Sequence, residues 1–367
     1  MTEPELFVGP GESDAVGAIL ARHRVRRPLL IATDRALRSI HADRALEGLE
    51  WRAFSAFTPN PLLGHVVEGC RVRDAWRPDA IVGVGGGSAM DVAKAVRLLP
   101  ADPSLALAVL TGAGDRFAAD GPPLFLVATT AGSGSEVTGF ATIFHAGRKY
   151  SLDHSRVRAD VAIVDPCLTA SCPPEVVSSG LFDAVCHGVE SHWSRRATDV
   201  SRRLAREALT LLVPHLGARV QDPPLEVRER LAAGALAAGR AIAMTRTTAA
   251  HAFAYALTIR YGIPHGVACM LNLRWLADYN LARSKGPARV TVEDSVLLLG
   301  SVTGRTGDLI AERLRRHTWP AELGGYGVAA KDLAGLVRAG MEVGDRAGNN
   351  PVDLEAGSVH EALEAVL

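Results

Sequence analysis

The sequence has no excess of charge of either sign and no long hydrophobic run. It contains 40 lysines and arginines against 40 aspartates and glutamates, so its formal net charge at pH 7 is zero. Without a basic surplus or a polybasic run, the composition argues against nucleic acid and against an anionic membrane surface as partners. Apolar stretches such as residues 105–110 are far too short to span a bilayer. Residues 1–5 lack a hydrophobic signal region, which favours a cytoplasmic protein.

Cysteines are few and are not arranged in pairs. The sequence has five of them and no Cys-x-x-Cys motif. An odd number does not suit a disulfide framework, and free thiols are the normal state in a reducing cytoplasm. Cys186, next to His187, is interpreted as a small apolar core residue and not as a metal ligand.

The length of 367 residues exceeds what one ordinary hydrophobic core accommodates, which favours two domains. In the first half, short apolar runs alternate with helical patterns, as in parallel strands buried on both faces of a doubly wound α/β sheet. From about residue 170 the chain reads as long amphipathic helices. We therefore expect an α/β domain over residues 1–170 and a helical domain over residues 171–367, with a pocket where the two meet. The predicted strands are residues 29–32, 80–84, 124–128 and 161–164.

One helical segment of the second half carries a carboxylate and an imidazole on the same face. Asp183 and His187 are four residues apart in an apolar stretch, so their side chains lie one above the other on a helix. His251 and His265 supply two further imidazoles. One aspartate oxygen and three histidine nitrogens suit a divalent transition metal such as Fe(II) or Zn(II). The sequence thus predicts a metal site.

A glycine-rich turn follows the second predicted strand. Gly86, Gly87 and Ser88 stand between that strand and a helical pattern, where backbone N–H groups and the positive end of the helix dipole can hold a pyrophosphate. The motif is not the usual G-x-G-x-x-G, and a tight turn that needs positive φ is the structural alternative.

A second loop, after the third predicted strand, is rich in small hydroxyl residues and glycine. Thr129, Thr130 and Ser133 lie in it, where a ligand would cross the carboxyl ends of the strands, although turns and an N-cap would also use such residues. Asp34, after the first strand, suits the ribose hydroxyls of NAD but also a helix N-cap. A dinucleotide together with a metal predicts hydride transfer to or from a polarised carbonyl.

With both signals present, the sequence resembles the iron-containing (group III) alcohol dehydrogenases over almost its whole length. The resemblance rests on many spaced motifs in the same order, so chance is not a reasonable explanation. They are Pro59-Asn60-Pro61, Gly85 to Ser88 with Asp91 and Lys94, Thr129 to Glu136, Lys149-Tyr150-Ser151, Asp165-Pro166, Phe182-Asp183-Ala184 with His187 and Glu190, His251, Pro264-His265-Gly266 and Asn350-Pro351.

This resemblance implies a dinucleotide-binding α/β domain followed by an all-α domain, with Fe(II) or alternatively Zn(II) as the metal and NAD(H) or NADP(H) as the cofactor. It also implies a small aldehyde or alcohol as substrate and a homodimer. The implied metal ligands are Asp183, His187, His251 and His265. The implied cofactor-binding residues are Asp34, Gly86, Gly87, Ser88, Asp91, Thr129, Thr130 and Ser133.

The sequence departs from the family pattern at one position. Many members have a histidine four residues after the third metal ligand, often assigned to proton relay, whereas this chain has Tyr255. A phenol can donate a proton, but its usual pKa of about 10 must be lowered for it to act efficiently near neutral pH. Tyr255 is therefore either the catalytic proton donor or a core aromatic residue.

The segment from His251 to Gly266 resembles the branch of the family that reduces phosphonoacetaldehyde to 2-hydroxyethylphosphonate in phosphonate biosynthesis. A dianionic substrate needs cationic partners, and the candidates are Lys149, Arg246 and Arg346. Each could equally be a solvated surface charge. The alternatives are another small substrate such as lactaldehyde or a semialdehyde, a dehydroquinate synthase-like lyase that uses NAD and zinc, and a sensor without turnover.

Overall fold

The computed structural model describes residues 3–113, residue 117 and residues 121–367. The chain forms two compact units, Met1–Ser171 and Cys172–Leu367. The assignment of residues 1–170 to the cofactor and of residues 171–367 to the metal remains a prediction.

The first unit alternates strands and helices. Its strands are β1 (Glu5–Val8), β2 (Pro28–Ala32), β3 (Arg52–Phe54), β4 (Ala80–Gly85), β5 (Leu124–Ala128), β6 (Phe140–His145), β7 (Arg148–Asp153) and β8 (Val161–Val164). Its helices are α1 (Val16–Arg22), α2 (Asp34–Ser39), α3 (Ala42–Ala45), α4 (Leu63–Trp76), α5 (Gly87–Leu98) and α6 (Pro103–Leu110). Six strands form a parallel sheet in the order β1-β8-β5-β4-β2-β3, and β6 and β7 form an antiparallel pair.

The central strands are apolar on both faces because both faces of the sheet are covered. On β2, Leu29 and Ile31 pack into one hydrophobic cluster with residues of α4 and α5. Leu30 and Ala32, which alternate with them, pack into a second cluster with residues of α1, α2 and α3. This arrangement confirms the predicted doubly wound sheet.

The order of the strands creates a switch point between β2 and β4. From β2 the chain runs outward to β3 and then returns to the other side of β2 to form β4 and β5. The two strands end level with each other, since Ala32 is paired with Val84. Ligands of open α/β sheets bind at such a switch point, beyond the carboxyl ends of the strands. Asp34 follows one of these ends and the Gly85–Ser88 turn follows the other.

The second unit is built from helices, and the structure describes no strand within residues 172–367. Helix α7 packs against α8, α9, α11 and α12, and every side chain from residue 181 to residue 193 is buried. A helix that is buried all round belongs to the centre of a helical unit. The helices are α7 (Pro174–Trp193), α8 (Asp199–Leu212), α9 (Leu225–Thr245), α10 (Ala249–Tyr261), α11 (His265–Arg283), α12 (Gly286–Leu298), α13 (Thr306–Arg316), α14 (Ala330–Met341), α15 (Gly344–Ala347) and α16 (Ala356–Glu364).

Among the described residues, no helix combines the length and the apolar character that crossing a membrane would require.

Candidate functional site

Three helices of the second unit bring the four predicted metal ligands together. Asp183 and His187 lie one turn apart on α7, His251 lies in the first turn of α10, and His265 is the first residue of α11. The start of α11 packs directly on the α7 backbone, because a Cβ at Gly266 would stand 1.8 Å from the carbonyl oxygen of Ser179. Glycine at position 266 is therefore what allows His265 to approach Asp183.

One oxygen of Asp183 is the point on which the three imidazoles converge. Its Oδ1 lies 3.2 Å from Nε2 of His251, 3.7 Å from Nε2 of His187 and 3.9 Å from Nε2 of His265. Ligand atoms about 2.1 Å from a tetrahedral ion stand about 3.4 Å from one another. The separations and the donor types fit a single divalent transition metal held by this cluster.

Cys269, to which the sequence analysis gave no role, is part of the same cluster. It lies one turn after His265 on α11, and its Sγ is 3.7 Å from Nε2 of His265. One donor atom from each of Asp183, His251, His265 and Cys269 lies within 4.8 Å of all the others. The helical spacing of His265 and Cys269 was the available sequence signal for this proximity.

Glu190 fixes the orientation of His251. One carboxylate oxygen, Oε2, pairs with Nδ1 of His251. The other, Oε1, accepts hydrogen bonds from the backbone N–H and hydroxyl of Thr248 and from the N–H of Ala250, at 3.0, 2.7 and 2.9 Å. With Nδ1 directed at Glu190, Nε2 of His251 is the nitrogen that faces Asp183, as in carboxylate–histidine–metal arrangements. Glu190 was expected only as a motif residue, although its position seven residues after Asp183 places it on the same helix face.

The charges of the cluster stabilise one another. Burial alone would raise the pKa of Asp183, but the imidazoles of His187, His251 and His265 hold it well below the usual range. Burial lowers the pKa of His187 to about 4, so this imidazole is neutral at pH 7. Burial opposes the charge on His251, yet the carboxylates of Glu190 and Asp183 raise its pKa to about 9. Metal binding at Nε2 of His251 therefore releases a proton.

Two of the predicted substrate-binding arginines gather around Tyr255. The ring of Tyr255 stacks on His265 with the centroids 5.5 Å apart, and Cζ of Arg346 lies 5.8 Å from the Tyr255 centroid. Arg346 is only 1% exposed and donates a hydrogen bond of 3.0 Å to Oγ1 of Thr247. Burial and then the positive charge of Arg346 lower the pKa of Arg246 to about 10, and the carboxylate of Asp345 partly offsets this effect.

Asn349 ties together the two backbone segments that carry these arginines. Its Nδ2 donates to the carbonyl oxygens of Thr245 and Thr247, at 2.9 and 3.0 Å, and its Oδ1 accepts from Oγ of Ser194. Between those carbonyls, Arg246 has φ +65°, a conformation that costs energy for a residue with a side chain. This role of Asn349 was not expected from the sequence.

In the first unit, the glycine turn faces the hydroxyl loop as a nucleotide site requires. Gly86 precedes the first residue of α5, Gly87. A Cβ at Gly86 would stand 3.0 Å from Oγ1 of Thr130, and one at Gly87 would stand 3.0 Å from Oγ of Ser133. The free N–H groups at the start of α5 and the absence of side chains suit a pyrophosphate.

The two loops are connected to neighbouring backbone by hydrogen bonds. The N–H of Thr129 donates to the Gly85 carbonyl at 3.0 Å, and Oγ of Ser88 accepts from the N–H of Asn60 at 3.3 Å. Asn60 belongs to the Pro59-Asn60-Pro61 motif, which is thus placed beside the turn.

Asp91 and Lys94 form a buried polar network behind the cofactor loops. Lys94 has no exposed surface and donates to Oγ of Ser135, Oγ1 of Thr138 and the Phe140 carbonyl at 2.9, 3.0 and 2.9 Å. Asp91 accepts from Oγ of Ser135 and the N–H of Thr142, both at 2.9 Å. Burial raises the pKa of Asp91, and Lys94 partly offsets this effect. Asp91 therefore contacts the protein's own loop, and its predicted contact with the cofactor stays a prediction.

The remaining predicted residues lie in the first unit. Asp34 is the exposed first residue of α2, but the helix is capped by the hydroxyl of Thr33 and not by Asp34, which removes the N-cap alternative. Lys149 lies on β7, where its charge lowers the pKa of Asp91. In the second unit, His192 and His317 are only 1% exposed.

Family models match both units of the chain. The model described as iron-containing alcohol dehydrogenase matches residues 4–166, and that of the C-terminal part of the Fe-containing alcohol dehydrogenase family matches residues 176–367. The chain therefore belongs to the iron-containing alcohol dehydrogenase family. This membership confirms the predicted class, an NAD-dependent oxidoreductase with iron as the expected metal.

The chain is also similar to individual members of the family. Phosphonoacetaldehyde reductase of Streptomyces viridochromogenes is 39% identical over 221 residues, which are 58% of this chain and 56% of that protein. The 1-propanol dehydrogenase PduQ of Citrobacter freundii is 28% identical over 76% of this chain and 72% of its own length. The crystal structure of sulfoacetaldehyde reductase from Bifidobacterium kashiwanohense in complex with NAD+ superposes with a TM-score of 0.88 at 26% identity, covering 100% of this chain and 97% of that one. The matched segment thus spans little more than half of the Streptomyces reductase.

Proposed function

We propose that this protein reduces a small aldehyde that carries a phosphonate group, phosphonoacetaldehyde, to the corresponding alcohol, 2-hydroxyethylphosphonate. The reaction consumes one NADH or NADPH and one proton for each aldehyde. The observation that carries the proposal is the gathering of Arg246 and Arg346 around Tyr255, whose ring stacks on His265 of the donor cluster.

The charges of Arg246 and Arg346 act on each other, with Asp345 as a partial counter-charge, and such a pair of guanidinium groups suits an anionic substrate group. A phosphonate near neutral pH carries up to two negative charges, and each arginine can hold two of its oxygens in a bidentate fashion. The names of two relatives support this reading, because phosphonoacetaldehyde and sulfoacetaldehyde are both acetaldehydes with an anionic tetrahedral group. Two cations match a dianion better than a sulfonate with its single charge, which favours the phosphonate.

The roles of the residues follow from this assignment. Asp183 and the imidazoles of His187, His251 and His265 would hold the metal, which would supply a Lewis acid for the carbonyl oxygen. Glu190 would keep Nε2 of His251 directed at that metal. NAD(P)H supplies the hydride, and Gly86, Gly87, Thr130 and Ser133 would bind its pyrophosphate and ribose. Arg246 and Arg346 would bind the phosphonate and orient the aldehyde. Lys149 stays a further candidate for the same anion.

The test compares a charged with an uncharged aldehyde. We expect Arg246→Ala to lower kcat/KM for phosphonoacetaldehyde by about 10- to 100-fold, the worth of one hydrogen-bonded charge. For propionaldehyde, kcat/KM should change by less than about threefold, because that substrate has no anionic group for Arg246 to bind. Arg338→Ala, which alters an exposed arginine of α14, is the matched control.

Arg346 is buried, so its replacement by alanine could prevent folding. Arg346→Lys keeps the charge and loses the bidentate geometry, and it should raise KM for phosphonoacetaldehyde while the thermal unfolding temperature stays near that of the wild type. Equal losses on both aldehydes would contradict an anion-binding role. A higher kcat/KM of the wild-type enzyme for sulfoacetaldehyde, lactaldehyde or a semialdehyde would replace the proposed substrate, and zero net consumption of NAD(P)H would point to the lyase.

The homodimer implied by the family resemblance is part of the same proposal, and size-exclusion chromatography with light scattering measures it directly.

A further inference from the structure

The thiol of Cys269 lies at the point where the donors of the metal cluster converge. Helix α11 places it one turn after His265 on the same face, and no part of the residue is exposed. Its Sγ is 3.7 Å from Nε2 of His265, and it lies within 4.8 Å of the donor atoms of Asp183 and His251 as well. Asp183, His251 and Cys269 are buried and His265 is half-buried, unlike the exposed acidic groups that gather on protein surfaces.

The distance between Cys269 and His265 is the one expected for two ligands of the same ion. A tetrahedral ion with a sulfur at about 2.3 Å and a nitrogen at about 2.1 Å places the two atoms about 3.6 Å apart. The observed 3.7 Å between Sγ of Cys269 and Nε2 of His265 matches this value. A thiolate at this point can therefore bind the same ion as the imidazole.

His187, the ligand that the family resemblance implies, is less well supported by its surroundings. Its Nδ1 is buried, and within the part of the chain that the structure describes it has no hydrogen-bond partner. Metal-binding histidines almost always donate their second ring N–H to a partner, as His251 does to Glu190. Among the described residues, no comparable partner fixes the tautomer of His187.

We propose that Cys269 is a ligand of the metal in this site, so that the ion is held by a carboxylate, imidazoles and one thiolate. The inference rests on the metal site of the proposed function and adds the identity of a donor. When the S–metal bond forms, the thiol releases its proton to solvent. A thiolate is a softer donor than the oxygen and nitrogen ligands, so Cys269 shifts the preference of the site from Fe(II) towards Zn(II).

Cobalt(II) substitution tests the inference without reference to turnover. Wild-type protein loaded with one equivalent of Co(II) should show a thiolate-to-cobalt charge-transfer band in the near ultraviolet. Cys269→Ser and Cys269→Ala should lose that band and keep the visible d–d bands of bound cobalt. Cys186→Ala is the matched control, since it removes another fully buried thiol of the same unit, and it should keep the charge-transfer band.

X-ray absorption and metal competition provide two further readouts. The zinc-loaded wild type should show one sulfur scatterer at about 2.3 Å, which is absent from Cys269→Ala. Cys269→Ala should weaken Zn(II) binding at least about tenfold, because the loss of a residue that only hydrogen-bonds to a metal ligand already has an effect of that size. Fe(II) binding should weaken less than Zn(II) binding. The cobalt-loaded His187→Ala variant should retain the thiolate-to-cobalt charge-transfer band.

Each failure has a distinct meaning. Bound cobalt without a charge-transfer band in the wild type, or a band that persists in Cys269→Ala, overturns the thiolate ligand and leaves the proposed reductase intact. A band that disappears in Cys186→Ala but not in Cys269→Ala also overturns it. A wild-type protein that binds no divalent metal overturns both proposals.

Discussion

The two units of this protein build their candidate sites from different parts of the chain. In the first unit, backbone N–H groups at the start of α5 and small side chains in the loop after β5 form the predicted cofactor site. In the second unit, long side chains from three helices converge on one oxygen of Asp183. A site made of backbone needs empty space and glycine, whereas a site made of side chains needs buried charges that compensate one another. Substitutions should therefore damage the two sites in different ways.

Removal of a central metal ligand should have the largest effect and should affect one site alone. Asp183→Ala leaves three imidazoles without the carboxylate on which they converge, and we expect aldehyde reduction to fall at least about 10⁴-fold, since Lewis-acid stabilisation is worth several kcal/mol. Fluorescence titration with NADH should still give wild-type affinity. A loss of NADH affinity equal to the loss of activity would show that the substitution does not affect the metal site alone.

The second prediction tests the buried network behind the cofactor loops. Lys94→Met removes the donor to the oxygens of Ser135, Thr138 and Phe140 and one of the two lysine charges that act on Asp91. We expect a loss of about 3–5 kcal/mol in the free energy of unfolding, measured by urea denaturation, together with weaker NADH binding. Lys331→Met, at an exposed position of α14, is the control. A loss below about 1 kcal/mol would mean that the network does not depend on this charge.

Glu190 offers a smaller change in the metal site. Glu190→Gln preserves the shape of the side chain and an oxygen for Thr248 and Ala250, but it removes the negative charge beside Nδ1 of His251. We expect Zn(II) affinity, measured by competition with a chelator, to fall about 10- to 100-fold. Glu226→Gln on α9, at an exposed position, should leave the affinity unchanged. Unchanged affinity in Glu190→Gln would show that packing alone orients His251.

Tyr255→Phe should have the smallest effect. Burial raises the pKa of Tyr255, and its ring stacks on His265 and lies beside Arg346, contacts that phenylalanine retains. We expect kcat to fall by less than about tenfold with an unchanged KM. A drop of 100-fold or more in kcat would instead identify the phenol as the proton donor, the role that the sequence analysis left open for it.

The hydrophobic pattern of the sequence predicted the central strands of the sheet but not its edge strands. The four central strands were expected because each is a continuous apolar run, and β2, β4, β5 and β8 begin and end within one residue of their predictions. The short edge strands β1 and β3 and the β6–β7 pair were not expected. The side chains of β1 are half-buried or exposed and those of β3 are mixed, so neither has the continuous apolar pattern of a central strand.

The sequence by itself determined the fold class, the family and the kinds of donor, because periodicity, glycine turns and motif spacing are properties of neighbouring residues. The tertiary structure alone decided which of these groups meet. Cys269 beside Asp183, Glu190 beside His251, and Arg246 beside Arg346 come from different helices and turns, separated by about 60 to 100 residues. Their proximity depends on how closely the helices pack, as at Gly266 against the Ser179 carbonyl. The distance between two packed helices cannot be predicted from a local sequence pattern.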